Sequence, residues 1–176
     1  MAFDFKKEYR EFYLPPRQPR IVEVPPMRFV AVRGTGDPNE GGGTYQQALE
    51  LLYGVAYTIK MAPRAGHDID GYFAYVVPPL EGFWWQEGTT GVDYARKQDF
   101  CWISCIRVPD FVTCEDFGWA VAEATRKKGR DFSAVELVDV TEGLCVQCLH
   151  VGPYDYEPTT VGLMHEYRSE EHTSEL

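Results

Sequence analysis

A chain of 176 residues with 44% hydrophobic and 25% charged side chains is long enough to bury its own core and has the composition of a single soluble globular domain. Its formal net charge of -10 argues against a nucleic-acid surface and makes a cationic ligand the electrostatically easier partner. No stretch approaches the apolar length of a membrane-spanning helix, the N-terminus lacks the apolar run of a signal peptide, and the five cysteines are odd in number, so a cytoplasmic protein with reduced thiols and no membrane contact is expected.

Taken in order, Phe5, Tyr9, Phe12 and Tyr13 recur at helical spacing before Pro15-Pro16 and predict a short helix or arm. Ile21–Val24 and Arg28–Gly34 read as one β-strand with a lead-in, interrupted by Pro25-Pro26. The turn-forming residues 36–43 lead to Thr44, a good N-cap, and a helix from Tyr45 to about Met61 with Leu52, Val55, Ala56 and Ile59 on one face. The Gly41-Gly42-Gly43 triplet matches no phosphate-binding pattern and reads as a linker. Gly71–Glu87, GYFAYVVPPLEGFWWQE, predicts two strands around Pro78-Pro79, and Phe100–Val108 predicts a central strand. A second helix is expected from Glu115 to Lys128, with Arg126, Lys127 and Lys128 set against its C-terminal dipole. Val135–Val140 and Leu144–Val151 predict a hairpin around Glu142-Gly143, and a third helix follows Pro158. Cys145 and Cys148 form a C-x-x-C, but an i, i+3 pair on a strand faces opposite sides, so no metal, redox pair or cofactor is expected.

The aromatic stretch organises the functional reading. Trp84 and Trp85 are adjacent on a strand and must point to opposite faces, so one joins the core while the other meets a cavity, a partner or water. Large aromatics beside Glu81 suit the wall of a pocket for a flat, apolar, preferably cationic molecule. A plain edge hairpin with a Pro-Pro corner accounts for the same residues. Two segments also echo each other: Phe29–Glu40 and Leu144–Glu157 each run strand, glycine, acidic proline-bearing turn and glutamate before a helix, which suggests a duplicated unit.

Residues 168–176, RSEEHTSEL, do not continue the apolar face of the third helix and read codon by codon as a common short-read sequencing adapter. The expected organisation is therefore a single domain over 1–167 with a non-native tail over 168–176. On that reading the second repeat lacks its last strands, and the chain is less stable and more prone to aggregate than a completed one.

The segments DFKKEYREFYLP, GTGDPNE, YTIKMAP, VPPLEGFWWQ, IRVPDFVT and EGLCVQCLHVGPYDYEP resemble the GyrI-like small-molecule-binding proteins, in particular the stand-alone subgroup similar to cyclopropanoid cyclopropyl hydrolases. The resemblance covers nearly all of Phe3–Tyr167. It implies an α+β fold of duplicated β-α-β-β units, an SHS2-type pair with a pocket between them, and a carboxylate with surrounding aromatics that holds flat lipophilic cations or alkylating natural products. Carried over residue by residue, it implies Glu81 and Tyr154 as catalytic candidates and Tyr75, Trp84, Trp85 and His150 as ligand-binding candidates. Multidrug binding and detoxification by hydrolysis of strained cyclopropanes are the implied functions. The alternative is an effector-binding or drug-sequestering module without a DNA-binding domain, and a third reading is an interaction protein acting on a macromolecule. Glu81 also reads as a solvated turn residue, and His150 as a strand-end histidine rather than a base.

Overall fold

The computed structural model describes residues 2–171, so the last five residues of the expected tail lie outside the described residues. In chain order the elements are α1 (Phe5–Glu8), α2 (Arg10–Tyr13), β1 (Arg20–Val24), β2 (Met27–Thr35), α3 (Thr44–Lys60), β3 (Leu80–Gln86), β4 (Phe100–Arg107), α4 (Cys114–Lys128), β5 (Glu136–Val140), β6 (Gly143–Gln147) and α5 (Glu157–Glu171). The chain is a mixed α+β protein and divides into two compact units. One comprises the residues up to Asp4 with Met27–Val140; the other comprises Phe5–Pro26 with the residues from Thr141 onward.

In the first unit four antiparallel strands run in the order β3-β4-β2-β5, so the apolar run FCWISCIR of β4 is a central strand, as its composition predicts. Helices α3 and α4 supply Leu52, Val55, Ile59, Ala120 and Ala124 to a core shared with Val30, Val32, Trp102 and Ile106 of the sheet. The Trp102 indole is accommodated because its neighbour across the ladder is Gly34, where an added Cβ would lie 2.3 Å from the ring. Helix α4 begins with a reciprocal cap: Asp116 N–H donates to Thr113 Oγ1 at 3.1 Å, and Thr113 N–H donates to Asp116 Oδ2 at 3.0 Å. Across the β2–β5 pair, Arg28 grips Asp139 with two hydrogen bonds of 2.7 and 2.9 Å and reaches the Val112 carbonyl with a third.

The second unit holds α1, α2, the β1–β6 antiparallel pair and α5. Leu149 N–H donates to the Pro16 carbonyl at 2.8 Å, fastening the segment after β6 to the loop after α2.

Four expectations are corrected. The lead-in Ile21–Val24 is a separate strand in a different sheet, because Pro25 and Pro26 have no N–H to donate and end the ladder on both sides. The expected hairpin does not form: β5 pairs with β2 in one unit and β6 with β1 in the other, and the second strand ends at Gln147. The first limb of the aromatic stretch is not a strand. Gly71 adopts φ 72°, and the residues after it make one isolated parallel bridge, Phe3 to Tyr75, while Phe73 and Tyr75 pack on Phe111. Thr44 is also the first helical residue rather than the cap; its hydroxyl donates to the Thr35 carbonyl at 3.0 Å, and Gly43 occupies the cap position.

Candidate ligand-binding site

Alternation along β3 sorts the aromatic stretch. Leu80 and Trp84 face the helices, where Trp84 lies 5.3 Å from Tyr45 and 5.8 Å from Phe100 between ring centroids. Glu81, Phe83 and Trp85 therefore face away from the helices, in register with Cys105, Ile103 and Cys101 of β4. The requirement that the two tryptophans part company is met: Trp84 joins the core, while Trp85 stays 37% exposed and donates from Nε1 to Glu87 Oε1 at 3.1 Å.

This face, opposite α3 and α4, is graded. Toward the middle of the sheet Phe29, Ala31 and Cys105 are buried, whereas Phe83 and Trp85 on the edge strand are open. Glu81 stands at the transition, with its Oε1 atom shut off from solvent. Arg107, two positions along β4 from the partner of Glu81, brings a guanidinium to the same face and is only 7% exposed. Diagonal neighbours of this kind lie about 7–8 Å apart at the backbone, within reach of long side chains. Phe83 and Arg107 are not singled out by the sequence reasoning above. The available signal is an arginine closing an otherwise apolar strand, FCWISCIR, in a class of residue that is buried at a cost unless something compensates its charge.

The other candidates divide between the units. Tyr75 is 1% exposed and belongs to an aromatic cluster in which Phe3 meets Phe73 at 5.5 Å and Phe73 meets Phe111 at 5.1 Å. Burial, with a smaller contribution from Tyr72, pushes its hydroxyl well above the ordinary tyrosine range, so it stays a neutral donor. His150 and Tyr154 lie in the second unit. His150 has both ring nitrogens in hydrogen bonds, Nδ1 with Thr160 Oγ1 at 2.8 Å and Nε2 with the Pro153 carbonyl at 3.0 Å. A carbonyl only accepts, so Nε2 donates to Pro153, and with the Thr160 contact the imidazole ties the turn to α5. Tyr154 sits in a short 3-10 turn with 75% of its surface exposed. Cys145 is raised above the usual thiol value, by burial first and then by Glu142 and Glu23, which is the opposite of an activated thiolate. Among the described residues no three metal-binding side chains gather, and no helix is long and apolar enough to cross a membrane.

Comparison with known proteins now decides the family. A model of the GyrI-like small molecule binding domain matches residues 17–175. The chain belongs to this family. Three solved structures from Listeria innocua resemble this GyrI-like domain. A conserved protein is 47% identical, with 97% of this chain and 82% of that one covered and a TM-score of 0.89. A hydrolase is 45% identical, with 97% and 81% covered and a TM-score of 0.86. A further hydrolase structure is 46% identical, with 97% and 82% covered and a TM-score of 0.90. Among curated proteins none matches this chain.

Chemically, a carboxylate followed along one strand face by two partly open aromatic rings can hold a flat cation by charge and stacking. The same carboxylate can take a proton from water if an electrophile is held above the rings.

Proposed function

We propose that this GyrI-like domain binds a flat, lipophilic molecule, cationic or electrophilic, at β3 on the sheet face opposite α3 and α4, and hydrolyses cyclopropane-bearing alkylating compounds held there. The observation that carries the reading is the placement of Glu81, Phe83 and Trp85 on one face of β3, with one carboxylate oxygen withdrawn from water and both rings accessible. Solved relatives called hydrolases at 45% and 46% identity support the choice of reaction class.

In the proposed reaction the cyclopropane is conjugated to a dienone. Glu81 takes a proton from water as the water oxygen bonds to a ring carbon. The strained carbon–carbon bond breaks, and its electron pair moves through the conjugated system to the carbonyl oxygen, which becomes a phenolate and is then protonated. The net change is addition of one water. Stacking on Trp85 fixes the plane of the substrate and adds about 1 kcal/mol beyond burial. Within the same unit, Tyr75 and Trp84 are proposed to support the surroundings rather than to react, Trp84 from the core side of β3.

The test is incubation with a duocarmycin-type cyclopropane, following the ring-opened alcohol. Formation of that alcohol by the native chain and its loss in Glu81→Gln are expected. Tight binding with no alcohol would leave the drug-sequestering reading.

A further inference from the structure

On the outer side of α3, remote in kind from the face just described, Tyr53, Tyr57 and Met61 form one wall of an open groove of about 850 Å³, with Lys127, Lys128 and Arg130 along its other side. Its floor depends on Gly54. A Cβ there would come 2.4 Å from Cε1 of the buried Phe132, so only glycine lets that ring lie against the helix. The two tyrosine rings are 6.4 Å apart and tilted by 30°, and Tyr57 is half exposed, with Lys60 Nζ 5.8 Å from its ring centre.

The charge of this groove runs against that of the chain. Lys127 is paired with Glu123 at 3.1 Å and Arg130 with Glu50 at 2.6 Å, so the two carboxylates nearby are already answered by cations. Lys128 has no ion pair among the described residues. Burial first, then Tyr57 and Tyr45, raise the Tyr53 hydroxyl above its ordinary range, so it stays neutral and adds no negative charge. A local surplus of cations beside apolar rings, on a protein of net charge -10, selects an anion with a flat apolar body.

We infer that the α3–α4 groove is a second small-molecule site, specific for aromatic organic anions and therefore of opposite charge preference to the Glu81 face. It is independent of the hydrolase reading. The experiment uses the whole chain and anilinonaphthalene sulfonate as the probe, titrated by fluorescence, with circular dichroism confirming that each variant folds. Tyr57→Ala should weaken binding about tenfold through lost stacking surface. Lys128→Glu should weaken it about fivefold through reversed charge at an exposed position. Trp85→Ala should leave it unchanged, and the uncharged anilinonaphthalene should bind more weakly than the sulfonate. Affinity that is unmoved by Tyr57→Ala and Lys128→Glu, that is lost in Trp85→Ala, or that is equal for the uncharged dye overturns the inference.

Discussion

The helix-bearing face of the four-stranded sheet holds Val30, Val32, Trp102 and Ile106 at 3% exposure or less, whereas the opposite face leaves Phe83 and Trp85 at 36% and 37% and brings Glu81 and Arg107 to neighbouring strands. The two faces are made from the same strands, residue by alternate residue. What distinguishes them is that one is satisfied internally, by α3 and α4, while the edge-strand part of the other presents apolar rings and charge together. The proposed site lies on that edge-strand part, on β3 rather than in the core.

The comparison breaks or sharpens most strongly at Trp102. Trp102→Ala removes a fully buried indole from the helix face and should cost about 3–5 kcal/mol in urea denaturation; a loss near zero would mean that this face is not the organising core. Next comes Glu81→Gln on the opposite face, expected to lower hydrolysis by about 10²-fold or more while shifting the denaturation midpoint little. An unchanged rate would remove Glu81 from the chemistry.

A smaller effect is expected at the cap of α4. Burial raises the Asp116 carboxyl, but hydrogen bonds from Thr113 and from His67 outweigh it, so the folded-state value lies below the ordinary one. A depressed carboxyl stabilises the fold above its unfolded pKa of about 4 and loses that contribution as the pH falls through the folded value. Asp116→Asn should therefore flatten the acid limb of a stability-versus-pH curve below about pH 4, and Thr113→Ala should cost about 1 kcal/mol at neutral pH. The smallest effect is Trp85→Ala, expected within about 0.5 kcal/mol of the native stability because the ring is partly exposed, yet weakening capture of a flat cation. If it destabilises as Trp102→Ala does, the distinction between the faces fails.

Local pattern was enough for much of this architecture. The spacing of Leu52, Val55, Ala56 and Ile59 marks α3 within a residue at each end, and Phe100–Val108 announces an interior strand by its continuous apolar character. Strict alternation separates Trp84 from Trp85 without any structure. Pairing partners were not legible in the same way. Glu142-Gly143 between two β-prone runs carries a hairpin signal, but β5 finds Met27–Ala31 and β6 finds Arg20–Val24, more than a hundred residues away in sequence. The signal in Pro25-Pro26 was present, since two residues without N–H groups cannot stay inside a ladder. At the site, Glu81 and Trp85 could be named from composition, whereas Arg107 becomes relevant only when the register sets it diagonally from Glu81.

The most direct test of the central claim is a crystal structure of the chain with a planar aromatic cation such as ethidium. The account predicts the cation on the face opposite α3 and α4, its ring against Trp85 and its positive end toward Glu81. A cation seated in the α3–α4 groove beside Tyr57, or bound without touching β3, would contradict it.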